Sequence, residues 1–423
     1  MKTVYIAAGT RTPFCKMGTS YKHLSADDLG ASVIKSLIAK TGVDPTVIDE
    51  VMMGCVCQPV EAANVARVMA LRAGLPETTP AITVHRNCAS GLEAVTVAAE
   101  KILAGRGDVF LAGGVDSMTR TPFLYQDSVV KQFAQMARAR SANAKASQLA
   151  KMNWGAMLKP KVGLQLGLTD PISGLGMGQT AEVLVRDFDI TRDDQDRFAA
   201  ESHQKALKHQ EQRDAELTSM YVSGKPVVTD NGVREDSTVE KLGKLRAVFS
   251  KKHGSVTAGN ASQITDGGVA LFICSEEGLK KTGLTPIGRI IDYAYTGCDP
   301  KRMGLGPVGA IHQVNAQTGL KVSDADTVEI NEAFAAQVIA CRKALSQKEY
   351  AKKAGFDHVE DEIPDHLLNP YGGSIALGHP VGATGSRLVL TILNQLHNQE
   401  KSKGLASLCV GGGQGAAMWL EAA

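Results

Sequence analysis

Apolar residues recur along this chain with two periods, and the switches between them mark an α/β fold. Short apolar runs predict strands at Val4–Ala7, Glu50–Cys57, Ala81–His85 and Asp108–Ala112. Helical spacing fills the intervals. Ser25 caps a helix to about Ala39, with Asp27 and Asp28 in its first turn and Gly42 just beyond. Asn64–Ala73 and Cys88–Ala104 read as two more helices. The C-terminal part repeats the rhythm. Strands are expected at Ile287–Tyr295, Thr327–Ile330, Leu405–Val410 and Ala416–Glu421, and helices at Gly309–Thr318, from Glu332 and at Ala383–His397. Such alternation predicts parallel strands covered by helices on both faces.

One detail relates the halves. A turn bearing a reactive residue, Cys88 or His379, opens a long helix, and an apolar strand ending in paired glycines follows (Gly113-Gly114, Gly411-Gly412). We read this as duplication of one α/β unit. Residues 1–118 with 246–275 form one half and 276–423 the other, with 119–245 an inserted loop domain. Within the insertion, Val129 to Lys161 carries seven bases (Lys131, Arg138, Arg140, Lys145, Lys151, Lys159, Lys161) and no Asp or Glu. Either it is a solvated helical segment, or it is a basic lid or docking surface for phosphates or acidic lipid. Residues 186–217 read as a charged, exposed helical stretch, and Ser346–Leu368 as a second surface insertion.

Composition narrows the classes. A chain of 423 residues buries a large core in two or three domain-sized units. A net charge of +2 argues against polyanion binding by charge alone, so no nucleic-acid partner is expected. The first residues read directly as a strand, and no run of 18 apolar residues predicts a membrane span. Eight sparsely spaced cysteines predict reduced thiols and a cytoplasmic or organelle-matrix setting. Cys55 and Cys57 are expected to share one face of a strand as packing residues. No second pair completes a zinc spacing, and no metal is expected.

Four distant segments carry the candidate chemistry: His85-Arg86-Asn87-Cys88-Ala89-Ser90-Gly91, Asn331-Glu332-Ala333-Phe334-Ala335, Gly378-His379-Pro380-Val381-Gly382-Ala383-Thr384-Gly385 and Cys409-Val410-Gly411-Gly412-Gly413-Gln414-Gly415. Cys88 falls at a strand-to-helix switch, where a helix N-terminus favours thiolate. His379, bracketed by Gly378 and Pro380, is placed to take its proton as a neutral imidazole. Cys409 is a second thiol able to act as acid in one direction and base in the other. Glu332 is expected to orient its surroundings rather than react.

The four segments, in this order, resemble the thiolase family over nearly the whole chain. The resemblance implies an α/β fold of duplicated halves in a layered α-β-α-β-α core. It implies that Cys88 is acylated, that the N–H groups of Cys88 and Gly411 form an oxyanion hole, and that Asn331 holds a water beside an enolate. Coenzyme A is then a substrate, with no tightly bound cofactor. Val256–Ser262 is similar to the pantetheine channel, with Ser262 as hydrogen-bonding residue and Ala258 and Phe334 as apolar contacts. Arg234 falls by spacing at the adenine end, and Met177 walls the acyl side. Gly176 stands where many short-chain thiolases have His. The insertions are similar to β-subunits of fatty-acid oxidation complexes, although those usually have His at the position of Asn331.

The expected activity is thiolytic cleavage of 3-ketoacyl-CoA in β-oxidation. The alternatives are condensation of two acetyl-CoA molecules and a non-catalytic oligomerisation scaffold. Expected partners are acyl-CoA and CoA and a second copy of the chain, as homodimer or homotetramer, pairing at an edge strand in the Asp108–Gly113 region. A hydratase/dehydrogenase α-subunit and a membrane surface touching residues 121–170 remain open.

Overall fold

The computed structural model describes residues 2–250 and 252–423. Nine strands form one sheet path: β1 (Tyr5–Arg11), β2 (Glu50–Gly54), β3 (Ala81–Val84), β4 (Val109–Ser117), β5 (Thr265–Cys274), β6 (Gly288–Gly297), β7 (Thr327–Ile330), β8 (Lys403–Val410) and β9 (Gln414–Ala422). Their order is β7-β8-β9-β6-β1-β5-β4-β2-β3, with Cys15–Lys16 paired to β5 off this path. The helices that bear on the site are α1 (Ala26–Thr41), α2 (Val65–Arg72), α3 (Ser90–Leu103), α4 (Asp127–Arg138), α5 (Ala142–Ala150), α6 (Trp154–Met157), α7 (Met177–Asp187), α8 (Arg192–Lys208), α9 (Gly306–Thr318), α10 (Ala335–Ser346), α11 (Lys348–Ala354) and α12 (Val381–Asn398).

The expected parallel sheet is in fact mixed. Only β2–β3, β2–β4 and β7–β8 pair in parallel. The cause is β5, a strand not among the expected elements. It runs antiparallel to both β1 and β4. In the other half β9 does the same between β6 and β8. Within the sheet the two halves pair at two positions, Tyr5 with Arg289 and Ile6 with Gly288.

Three apolar cores give the layers. α3 and α12 form a buried middle, packed against residues of both half-sheets such as Ile6, Phe110, Leu271, Leu408 and Met418. α1 and α2 cover the other face of the N-terminal half. α9 and α10 cover that of the C-terminal half.

Several boundaries move. β2 stops at Gly54, so Cys55 and Cys57 lie beyond the strand; Cys55 is buried and Cys57 half-buried. β4 runs through Gly113-Gly114 to Ser117. It is an interior strand between β2 and β5, so the Asp108–Gly113 region is no edge. The segment 367–369 hydrogen-bonds across β7, which leaves β3 as the open edge, with Ile82 exposed. α8 is not merely a solvated face: Ala199, Ala200, His203 and Ala206 are buried. α3 and α10 begin at Ser90 and Ala335, two and three residues later than expected at Cys88 and Glu332.

The middle layer is held by close backbone approach. A Cβ on Gly114 would overlap the Gly382 carbonyl, and one on Gly91 would lie 2.7 Å from the same oxygen. Gly114→Ala is therefore expected to lower stability by roughly 1–3 kcal/mol or more. Gly243→Ala, in a short exposed helix with open space around it, changes it by less than about 1 kcal/mol. Urea unfolding midpoints of the two variants check this.

Candidate active site

Cys88 follows Asn87, which holds a left-handed φ of 43°. The Asn87 side chain donates to the Gly411 carbonyl at 2.7 Å, binding the two glycine-flanked loops together. Ser90 accepts from the Arg86 N–H at 2.9 Å and donates to the Asn87 carbonyl at 2.7 Å, which closes the turn that aims Cys88. Arg86 is fixed in turn by Glu93 and lies over the Tyr295 ring.

The thiol of Cys88 is half-buried in a cavity. Desolvation lifts its pKa above the ordinary value, and Asp116 adds to the rise. The N–H groups of Gly411 and of Cys88 itself point at the sulfur and pull the other way. The expectation of a helix-stabilised thiolate is thus corrected: α3 starts beyond Cys88, and burial wins.

His379 lies between a single helical turn (Ser374–Leu377) and the start of α12, after Gly378 at φ 104°. Its Nδ1 is 2.7 Å from Thr384 Oγ1. That hydroxyl donates its one proton to the Pro380 carbonyl at 2.9 Å, so it accepts from Nδ1–H. Nε2 is left with its lone pair free. Burial, reinforced by Arg387, lowers the imidazole pKa to about 3. The ring is neutral near pH 7, as a base must be.

Cys409 ends β8 almost fully buried, and its pKa is pushed well up by desolvation and then by Cys88. Cys88, His379, Cys409 and Gly411 all wall one cavity of about 600 Å³. Its far side is apolar, with Pro122, Leu164, Leu166 and Leu168 from the insertion. The basic helices α4 and α5, and the short α6 after them, are not among its walls.

A second chamber of about 780 Å³ shares Met177, Ser262, Phe334 and His379 with the first. It adds Ala258, Arg234 and Lys16, so two cations line it. Phe334 meets Phe249 edge to face, with centroids 5.9 Å apart. All five residues expected to meet coenzyme A, Ser262, Ala258, Phe334, Met177 and Arg234, therefore converge on one chamber.

Asn331 is wholly buried and is not among the residues walling either chamber. Ser374 donates to its Oδ1 at 2.6 Å and accepts from Arg387 at 3.3 Å. This fixes the amide so that Nδ2, which has no protein partner, is the free donor. Glu332 accepts from Ser202, Asn369 and the Ile375 N–H and ties α8 to the 369–375 segment.

Sequence reasoning missed four residues. Asp116 binds the N–H groups of Val56, Cys57 and Gly382 and so joins the Cys55–Cys57 loop to the start of α12. Thr384 was visible in the histidine segment, five residues on. Cys57 and Lys16 wall the chambers and carried no signal.

The family model described as thiolase, N-terminal domain, matches residues 4–277, and that of the C-terminal domain matches 284–422. A Staphylococcus aureus protein called probable acetyl-CoA acyltransferase is 40% identical over 421 residues, 98% of each chain. The solved acetyl-CoA acetyltransferase of Bacillus anthracis superposes with a TM-score of 0.86 at 36% identity, covering 100% of this chain and 99% of that one. Human mitochondrial 3-ketoacyl-CoA thiolase in complex with CoA gives 0.86 at 32%, covering 100% and 98%.

The site's histidines set an acid limit. His379 and His203 have folded pKa values lowered from 6.5 to about 3 and about 4. Their contribution is complete above pH 6.5 and is lost as pH falls from there toward the folded values, because the unfolded chain takes the protons first. At pH 5 the His379 loss is about 2 kcal/mol. The urea midpoint should fall from pH 7.5 to pH 5, and fall less in His379→Asn; equal falls would remove His379 as a cause.

Proposed function

This chain belongs to the thiolase family and is an acyltransferase, and from that premise we propose that it cleaves 3-ketoacyl-CoA with coenzyme A during fatty-acid β-oxidation. The observation that carries the choice is the apolar chamber of about 600 Å³ beside Cys88, far more than an acetyl group fills. Gly176, in place of a bulkier side chain, fits the same reading. Acetyl-CoA condensation is the second reading, favoured by the likeness to the Bacillus anthracis acetyltransferase.

In the proposed reaction, His379 Nε2 takes the Cys88 proton as sulfur attacks the C3 carbonyl. The N–H groups of Cys88 and Gly411 receive the oxyanion. The C2–C3 bond then breaks. Cys409 protonates C2 of the departing acetyl-CoA enolate, which is steadied by His379 and by a water on the free Nδ2 of Asn331. Coenzyme A enters, loses its thiol proton to the Cys409 thiolate, and attacks the acyl-Cys88 thioester. Cys88 leaves as thiolate and recovers its proton from His379. The second chamber takes the pantetheine arm along Ser262, Ala258, Phe334 and Met177, with Arg234 and Lys16 toward the phosphates.

Cys88→Ser is expected to abolish thiolysis and the acyl adduct seen by intact mass. Cys409→Ser keeps the adduct while carbon proton exchange falls about 100-fold or more. A stoichiometric adduct on Cys409 in Cys88→Ser would reverse the roles, and wild-type protein with no adduct would support the scaffold reading. Thiolysis rates across a chain-length series that peak at acetoacetyl-CoA would favour the second reading.

The insertion supports a docking role. All seven bases from Lys131 to Lys161 are exposed, and so are Phe123, Leu124, Val130, Leu149, Trp154 and Leu158. Bases among exposed apolar residues suit an anionic membrane surface. Arg138→Glu, Arg140→Glu and Lys145→Glu together should weaken binding to phosphatidylserine vesicles at least tenfold and leave short-chain thiolysis intact. Unchanged vesicle binding would make the bases solvating groups.

A further inference from the structure

A cluster outside both chambers has ligand chemistry. We propose that His312, His358 and Glu360 bind one divalent transition-metal ion of the zinc class. His312 lies on α9, while His358 and Glu360 follow α11 in the second insertion. The ligand atoms of the three residues all lie within 4.8 Å of one another. His312 Nδ1 is 3.3 Å and His358 Nε2 is 3.2 Å from the same carboxylate oxygen, Glu360 Oε1. Zinc bonds of about 2.0–2.1 Å in a tetrahedron set neighbouring ligand atoms roughly 3.3 Å apart.

The surroundings point the same way. His312 is buried; its Nε2 has no partner, and its Nδ1 faces Glu360 Oε1 at 3.3 Å without the alignment of a hydrogen bond. A buried imidazole whose nitrogens make no hydrogen bond is costly unless something is bound there. Its ring stacks on Phe356 at 3.9 Å between centroids, which fixes its plane. Asn315 donates to the other Glu360 oxygen at 2.8 Å and is itself held by the Trp419 indole N–H at 2.8 Å. This is the outer support that ligating carboxylates need.

The fourth position opens outward. His312 and His358 wall a cavity of about 510 Å³ with Cys298, Gln313 and Tyr350, and it shares no wall residue with the two chambers of the active site. Water or a small anion completes the coordination from that side. The ion would clamp the second insertion to α9 and takes no part in acyl transfer.

The test uses the full chain, stripped with chelator and dialysed against Zn²⁺ or Co²⁺. His358 is 57% exposed at its side chain, so His358→Ala leaves fold and thiolysis intact. Wild type should bind one equivalent, counted by plasma mass spectrometry, and Zn²⁺ should raise its Tm. The Co²⁺ spectrum should lack thiolate charge-transfer bands. His358→Ala should weaken binding by more than the roughly 10–100-fold that loss of an outer-shell partner costs, and abolish the Tm rise. No saturable uptake by wild type, or equal uptake and Tm rise in the variant, overturns the proposal.

Discussion

Backbone lies directly on backbone where α3 crosses α12, and the geometry of the site depends on that contact. The Gly382 carbonyl faces the Cα atoms of Gly91 and Gly114, and Gly385 abuts the Leu92 backbone. No side chain fits between them. Cys88 lies two residues before α3, and His379 lies two residues before α12. A contact that fixes the two helix starts therefore fixes the two reacting groups, although 291 positions of chain part them in the sequence. Asp116 adds a polar tie at the same crossing, since it holds the Gly382 N–H and the N–H groups of Val56 and Cys57.

Burial gives the resting site a neutral character. Both thiols are pushed toward the protonated form and the imidazole toward the unprotonated form. A thiolate–imidazolium pair would be a separated charge in a poorly solvated cavity. The two N–H groups at Cys88 stabilise negative charge at one place, so charge is favoured there only as it develops. Behind the cavity, Glu329 and Arg387 pair at 2.9 Å, and Arg387 reaches Ser374, which orients Asn331. The fixed charge thus acts through a chain of hydrogen bonds and through its effect on the imidazole.

Much of the layered fold was legible because apolar periodicity survives in long buried elements. Thr327–Ile330 was placed residue for residue, and Ser25 and Gly42 cap α1 as expected. Strand direction was not legible. It follows from β5, whose partners lie more than 140 positions away in sequence. The candidate residues were legible because each stands in a short distinctive segment, with glycine beside His379 and within three positions of Cys88 and Cys409. Their ionisation was not, since it depends on burial supplied by distant elements. Thr384 was within the quoted segment, but only the turn geometry shows that its hydroxyl meets the ring. Asp116 sits in a buried strand, and nothing local marks its side chain as the one that crosses to another loop.

The place of β1 in the sheet bears on how the protein folds. This strand is the first of the sheet along the chain, yet its neighbours β5 and β6 come more than 250 residues later. Sheets closed by such distant pairings form slowly. Cys409 and Gly411 lie at the end of β8 and just beyond it, next to β9. Cys88 therefore stands 321 positions before Cys409, with which it shares a cavity. The cavity around Cys88 is therefore complete only once strands far apart along the chain have paired.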